Sequence, residues 1–280
     1  MKIKEIRKSN YSGYVYDLEI KNTHNYIVNG VVVHNCHEES NTKGKHGDLI
    51  RLNDVLLDLP PGIELAIGGG NPLDHPDLKE FLVNCKQKGF ICNLTINQLH
   101  LKKHYDFIWE LINSDLVKGI GISYRKEFKT KEEISFANYE HSVIHLINGI
   151  DDYKSIEQLM NVGYKKFLLL GYKQFGNGVQ HYNKFSKEIE DKIKKWYMFI
   201  PKYIGKCLIS FDNLAIEQLN IKRFFTDEGW ETFYQGDDFT LSVYIDAVEQ
   251  KFAPTSRSSE RKSFNDYSLK DYFNKFRKKK

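Results

Sequence analysis

The sequence predicts an α/β protein in which a short all-β segment precedes a partial parallel barrel of the (β/α)6 type. Three observations lead to this fold class. Short apolar runs alternate with helical segments after residue 48, and the runs are almost continuously apolar, as buried parallel strands are. About six such units occupy about 210 residues, which favours a barrel or open barrel over a flat doubly wound sheet.

The first 35 residues carry the signals of two β-hairpins. Residues 15–20 alternate between apolar and polar side chains, and residues 21–23 have turn composition. A second strand begins at His24, and Asn29-Gly30, a pair typical of type I′ turns, then leads into three valines. We therefore expect this segment to be all-β.

The hairpins end in the tripeptide His34-Asn35-Cys36, whose residue types suit backbone cleavage. The amide nitrogen of Asn35 can attack its own carbonyl carbon and cut the chain, and His34 can move the protons of that step. Cys36 supplies a thiolate that can accept an acyl group. On the tripeptide alone, a strand that ends in a loop would be the simpler interpretation, and the preceding hairpins decide against it.

Residues 15–36 closely resemble the C-terminal splicing motifs of inteins, the self-excising domains of the Hint fold. The shared pattern is a Val-Tyr-Asp-Leu strand, a turn, His-Asn-aromatic, Asn-Gly, an apolar triplet and His-Asn before a nucleophile. The resemblance implies that Asn35 cyclises with the help of His34 and that Cys36 is the first residue of the C-extein. It also implies that Asp17 and His24 tune the acyl-transfer steps, and that splicing needs no cofactor.

An intein also requires an N-terminal half with its own first nucleophile, and the 35 residues before Cys36 contain no cysteine. We therefore expect the C-fragment of a split intein, whose complementary N-terminal fragment is carried with its N-extein by another polypeptide. The alternative is a fragment of a contiguous gene. The methionine at position 1 favours the natural split.

Composition limits the class of protein. With 41% hydrophobic and 28% charged residues, the 280-residue chain can bury a large core, and no apolar run reaches the roughly 18 residues of a membrane helix. Four cysteines without disulfide-like spacing fit a cytoplasmic protein. The net charge is +4, and the basic C-terminus is expected to be solvated, without a nucleic-acid partner. We expect a splicing segment at 1–35, a barrel at 36–250 and a basic tail at 251–280.

After Cys36 the sequence predicts alternating helices and strands. The expected helices cover residues 48–57, 76–88, 104–112, 131–139, 153–162 and 182–196. The expected strands cover residues 63–67, 91–96, 117–122, 143–147, 166–170, 207–211 and 239–244. In such an architecture the chemistry lies at the carboxyl ends of the strands.

The loop at residues 68–72, Gly-Gly-Gly-Asn-Pro, follows the first barrel strand. A run of glycines brings backbone N–H and C=O groups close to a ligand, although a tight turn would have the same composition. The spacing fits neither a dinucleotide fingerprint nor a Walker motif. One alternative function is therefore a non-splicing barrel enzyme that binds a phosphate or sugar at this loop.

Residues 69–77 resemble the Gly-Gly-Glu-Pro-Leu-x-His-Pro-Asp segment of radical S-adenosylmethionine enzymes, which holds the methionine amino group of the cofactor. Asn71 stands where the family has glutamate, so a dipole replaces a charge, and the carbonyls of Gly69 and Gly70 can still accept hydrogen bonds. Strand exits supply further expected contacts. The cofactor-binding residues expected in this way are Gly68, Gly69, Gly70, Asn71, Asn97, Ser123 and Asn148.

The same resemblance gives Cys36 a second role, as the third ligand of the CxxxCxxC loop that binds a 4Fe–4S cluster. The first strand and the first two cluster cysteines are missing here, and Cys85 and Cys92 lie within a predicted helix and strand, where small buried residues are expected. A split intein that interrupts this loop explains both gaps, because the partner's N-extein would supply the missing parts. The cluster and S-adenosylmethionine are then expected only after splicing, and the substrate is not predicted. An inactive orphan fragment is a third interpretation.

Overall fold

The computed structural model of the chain describes residues 18–19, 46–174, 177–237, 239–255 and 258–276. Strand β1, Leu18–Glu19, falls within the stretch predicted to form the first hairpin strand. The predicted splicing residues are Asp17, His24, His34, Asn35 and Cys36, and all of them lie outside the described residues. Their roles therefore stay predictions.

The centre of the fold is a six-stranded sheet in which every neighbouring pair of strands is parallel. Its strands are β2 (Glu64–Ile67), β3 (Ile91–Asn97), β4 (Gly119–Ser123), β5 (Ser142–Ile147), β6 (Lys166–Leu170) and β7 (Leu208–Phe211). They lie side by side in sequence order, without the reversal that marks a doubly wound sheet. The parallel α/β architecture expected from the sequence is confirmed.

Helices connect the strands. They are α1 (Leu49–Val55), α2 (Leu78–Gln87), α3 (Gln98–Leu101), α4 (Tyr105–Asn113), α5 (Lys131–Ser135), α6 (Ser155–Asn161), α7 (Asn177–Phe199), α8 (Asn213–Gln218), α9 (Asp227–Phe233) and α10 (Leu269–Phe276). The local sequence determines where several of these helices begin. The Asp48 carboxylate accepts from Arg51 N at 2.8 Å before α1, and Thr130 and Glu133 form a capping box at α5.

The alternating side chains of the strands separate two environments. On one face, residues such as Leu94, Ile120 and Ile144 are fully buried in the main core, which includes residues of the helices. On the other face, Val143 belongs to a small separate cluster with two leucines of β6. This second, inner face carries most of the polar strand residues discussed below.

Residues 251–255 and 258–276, within the stretch predicted to be a basic tail, are folded. Strands β8 (Val243–Asp246), β9 (Lys251–Ala253) and β10 (Lys262–Ser263) form a second sheet, in which β1 pairs in parallel with β8. Four aromatic residues of this region are buried: Phe252, Phe264, Tyr272 and Phe273. Burial of these rings explains why residues 251–276 pack onto the domain instead of extending into solvent.

The strand predicted at residues 239–244 begins later than expected, at Val243. Phe239 has a positive φ of 66°, a turn conformation that is incompatible with a regular strand. Its ring is nevertheless buried and contacts Tyr272 and Phe273 of α10, so packing holds the turn in place. Within the described ranges, no helix has the length and apolar character needed to cross a membrane.

Candidate functional site

The glycine loop lies at the carboxyl-terminal end of β2. Gly69 and Gly70 have positive φ angles of 97° and 45°, which L-residues with a side chain rarely adopt. A Cβ on Gly70 would meet no atom within 4 Å, so backbone conformation and not crowding requires glycine there. Asn71 then begins a single 3₁₀ turn, Pro72–Asp74.

Asn71 belongs to a polar network that reaches across to the chain after β3. Its Nδ2 lies 3.3 Å from Nε2 of His104, and the same His104 nitrogen lies 3.2 Å from Oδ1 of Asp74. Lys103 donates to Asp74 at 2.9 Å, and this hydrogen bond is the main reason why the pKa of Asp74 is lowered. The loop therefore carries a carboxylate three residues after the position where Asn71 replaces glutamate.

Asn97 and Ser123 end two neighbouring strands and are register partners. Asn97 caps α3, because its Oδ1 accepts a hydrogen bond from Leu99 N at 3.0 Å. Both side chains are half-buried, so they lie at the edge of the sheet where parallel α/β proteins bind ligands. Their predicted cofactor contacts fit this position and stay predictions.

Asn148, the third strand-exit residue, has a structural role. It is fully buried after β5, its Oδ1 accepts from Tyr172 N at 2.9 Å, and its Nδ2 donates to Gln218 Oε1 at 2.8 Å. These bonds tie the exits of β5 and β6 to α8. Because both amide atoms have protein partners, Asn148 has less capacity to bind a cofactor than Asn97 or Ser123 has.

Two buried titratable residues on the sheet were not assigned a role from the sequence. Glu64 accepts a hydrogen bond from Asn93 Nδ2, and burial raises the pKa of its carboxyl to about 7. His145 is fully buried on β5, and burial lowers the pKa of its imidazole to about 3. A charged or titratable residue inside an apolar strand run was the available signal in both cases.

A buried ion pair lies where β6 and β7 end. Lys173 Nζ is 3.7 Å from Asp212 Oδ2, and the two side chains are 3% and 0% exposed. The other oxygen of Asp212 accepts from Gly171 N at 2.8 Å and from Ala215 N at 2.7 Å. Asp212 therefore joins a strand exit to the start of α8, a function that its sequence position alone did not reveal.

The prediction of small buried cysteines is confirmed for two of the three described cysteines, and the third is only half-buried. Cys85 in α2 and Cys92 in β3 are buried, and a hydrogen bond with Cys85 together with burial raises the pKa of Cys92. Cys207 is half-buried, directly before β7. Within the ranges that the structure describes, no group of three or more His, Cys, Asp or Glu side chains could hold a metal ion. The predicted cluster ligand, Cys36, is not among those residues.

Comparison with known proteins gives a family match at the N-terminus and structural matches over almost the whole chain. Residues 1–35 match the family model described as the intein splicing domain. The chain is also 59% identical over 34 residues to DNA topoisomerase 1 of Pyrococcus furiosus and 29% identical over 140 residues to reverse gyrase of Methanocaldococcus jannaschii. These matches cover 12% and 45% of this chain, but only 3% and 8% of the relatives.

The solved structures match almost the whole chain. SuiB of Streptococcus suis bound to the precursor peptide SuiA is 13% identical, with a TM-score of 0.58, and the match covers 93% of this chain and 64% of SuiB. SuiB bound to S-adenosylmethionine gives a TM-score of 0.54, also at 13% identity, over 93% of this chain and 63% of SuiB. The chain thus spans less than two thirds of SuiB. The similarity shows that this chain shares the fold of SuiB.

Proposed function

We propose that this chain is the C-terminal partner in protein trans-splicing, and that splicing completes a radical S-adenosylmethionine enzyme. The observation that carries the proposal is that the match to the intein splicing domain ends at residue 35, directly before Cys36. The six-stranded parallel sheet follows in the chain, from Glu64 to Phe211. A splicing segment joined to an incomplete barrel is what a C-fragment with its C-extein requires.

The proposed splicing reaction begins on the partner, where the first intein residue takes over the N-extein acyl group. The Cys36 thiolate then attacks that acyl carbon, and the partner's nucleophile leaves with a proton. Next, the Asn35 amide nitrogen attacks its own carbonyl carbon, so the bond to Cys36 breaks, a succinimide forms and the Cys36 amine is released. This amine attacks the thioester, the acyl group moves from sulfur to nitrogen, and the thiol is restored.

Proton transfer and positioning are the roles proposed for the residues around Asn35. His34 is adjacent to the amide that must be activated, and Asp17 and His24 support the acyl transfers. A free cysteine thiol has a pKa near 8.5, so only a few per cent is thiolate at neutral pH. Docking of the two fragments must compensate, and oriented intramolecular attack reaches effective molarities on the order of 10⁵ M or more.

The described part of the proposed enzyme fits S-adenosylmethionine in several respects. Gly69 and Gly70 expose backbone groups in a conformation that only glycine adopts readily, and their carbonyl oxygens can accept hydrogen bonds from an amino group. Asn97 presents a neutral oxygen at the sheet edge for a hydroxyl group. Together with a 4Fe–4S cluster, the cofactor would supply one-electron chemistry. Cys36 and two cysteines of the partner would hold the cluster.

The topoisomerase match supports the splicing half of the proposal, whereas the reverse gyrase match, over 140 residues, is longer than the splicing segment. The 34-residue match to the topoisomerase is close in length to the 35-residue splicing segment. Because these matches cover 3% and 8% of the two relatives, they bring no DNA-directed activity to this chain. We propose no nucleic-acid partner, no membrane partner and a cytoplasmic location.

The deciding experiment is co-expression with the complementary N-terminal fragment, comparing the parent chain with Asn35→Ala. Alanine has no side-chain amide to close the succinimide, so ligated product should disappear while branched or thioester species accumulate. Asn22→Ala, in the predicted turn, is the matched control and should splice normally. Electrophoresis and intact mass separate these species. Fully ligated product from Asn35→Ala would overturn the splicing assignment.

A further inference from the structure

His145 is a histidine of the described fold whose two ring nitrogens are buried without a hydrogen-bond partner. The residue is 2% exposed, and both Nδ1 and Nε2 are buried and unsatisfied. His75, by contrast, has its Nε2 2.8 Å from the carbonyl oxygen of Gly47. A buried polar group without a partner is destabilising, so the retention of a histidine here calls for a functional explanation.

The neighbouring strand leaves room for the imidazole. Strand β4 carries glycine at both inner-face positions before Ser123, namely Gly119 and Gly121. A Cβ on Gly121 would clash with Cε1 and Nε2 of His145, so the ring lies directly over this glycine. In the same way, the Asn93 amide lies over Gly119. Because β4 has no side chains at these two positions, polar side chains from β3 and β5 can lie across it.

Neutral hydrogen-bonding groups connect the ring to the edge of the sheet. Ser123 is the register partner of His145, and Asn97 is the register partner of Ser123. Both Ser123 and Asn97 are half-buried. Thr95, two residues before Asn97 on the same face of β3, is buried, and its Oγ1 lies 3.2 Å from the position that a Cβ of Gly121 would take. A group that enters over Ser123 would therefore reach His145 and Thr95 together.

The surroundings of His145 favour an uncharged ligand group. Burial is the single cause of its lowered pKa, and no charged side chain contributes to it. The ring is therefore neutral at physiological pH and offers one donor and one acceptor. Leu168, the register partner of His145 on β6, and Val143 make the other side apolar. An ion placed here would lose its hydration without gaining a counter-charge.

We propose that His145, Thr95 and Ser123 form the polar floor of a substrate site and that they bind a hydroxyl or carboxamide group of the substrate. The assignment rests on the proposed function only in naming the ligand as the substrate of the spliced enzyme. The hydrogen bonds themselves require neither the cluster nor S-adenosylmethionine. The binding of a small probe can therefore be tested on the full chain before splicing.

The test is a nuclear magnetic resonance titration of the full chain labelled with ¹⁵N-histidine, with acetamide as the probe. His145→Gln identifies the ring signals of His145, and His141, which precedes the other end of β5, is the internal control. Acetamide should shift the His145 signals to saturation and leave those of His141 unchanged. Acetate and methylammonium, of similar size but charged, should not saturate the His145 shift.

Thr95→Val keeps the shape of the side chain and removes one hydrogen-bonding group, so it should weaken acetamide binding by about tenfold. If that variant fails to fold, Ser123→Ala takes its place under the same criterion. The proposal fails if acetamide causes no saturable shift, if the ions bind equally well, or if removal of the hydroxyl leaves the affinity unchanged.

A second experiment distinguishes a failure of this proposal from a failure of the proposed function. S-adenosylmethionine binding is measured on the spliced, cluster-reconstituted product by calorimetry. Acetamide binding at His145 in a protein that binds no S-adenosylmethionine would refute the radical-enzyme function and leave the polar site standing. Displacement of acetamide from His145 by S-adenosylmethionine would assign the floor to the cofactor and overturn its assignment to the substrate.

Discussion

The buried pair of Lys173 and Asp212 allows a quantitative prediction about stability. Asp212→Asn retains an oxygen that can accept from Gly171 N and Ala215 N, but it removes the charge that faces Lys173 at 3.7 Å. The Lys173 ammonium would then be buried without that carboxylate. Since removing one member of a buried ion pair typically costs about 3–5 kcal/mol, we expect Asp212→Asn to lose that much free energy of unfolding.

The double variant provides the control for this prediction. Lys173→Met alone should be destabilising for the converse reason, because the Asp212 carboxylate stays buried. Combining Lys173→Met with Asp212→Asn removes both charges and keeps the cap of α8. The double variant should therefore be more stable than either single variant, within about 2 kcal/mol of the parent.

Urea unfolding followed by tryptophan fluorescence measures these differences. With a slope of about 2–3 kcal/mol per molar urea, a loss of about 3–5 kcal/mol lowers the midpoint by about 1–2.5 M. The slope must stay unchanged for the comparison to hold. A midpoint of Asp212→Asn within 0.2 M of the parent (about 0.5 kcal/mol), or additive losses in the double variant, would show that the pair does not act as argued.

Three further predictions concern the splicing residues and one buried carboxyl. Replacing His34 or Asp17 by alanine should slow splicing about 10²–10⁴-fold without abolishing it, and parental rates for both variants would refute their roles. Cys36→Ser should retain some splicing but give a product with little iron after anaerobic reconstitution, since clusters are held by thiolates; full iron content would exclude Cys36 as a ligand. Burial raises the pKa of Glu64 from its ordinary 4.5 to about 7 in the folded protein, so its stabilising contribution is full below pH 4.5 and is lost as the pH rises through 7. The urea midpoint of Glu64→Gln should therefore fall less between pH 5 and pH 8 than that of the parent, and parallel curves would contradict the shift.

The local sequence was sufficient to predict most strands of the sheet. The run at residues 166–170 gives β6 with the bounds predicted, because an uninterrupted apolar segment between turn residues has few alternatives. Helix α9 was missed, because none of its residues is buried and its sequence has no core-facing stripe. The turn at Phe239 was also missed, since its geometry depends on contacts with α10, far along the chain.

The site could be predicted only in outline, for a different reason. Asn97 and Ser123 were identified by their positions at strand ends, and the structure places them side by side. His145 and Glu64 were overlooked because their environment depends on neighbouring strands. Gly121 lies under the imidazole and Asn93 donates to the carboxylate, and a single sequence does not state which face of each strand is inward. The presence of a strand can be predicted from its local sequence, whereas its register and the face that points inward cannot.

Under the proposed function, the place of the split has a chemical consequence for position 36. Splicing accepts cysteine, serine or threonine as the first extein residue, but a cluster ligand must be a thiolate. Cysteine is therefore the residue that satisfies both requirements at this position, and the splicing reaction restores its thiol free for iron. The described core extends from Leu49 to Phe273, and β1 of the splicing segment pairs with β8. Splicing would add a strand and two ligands to this fold.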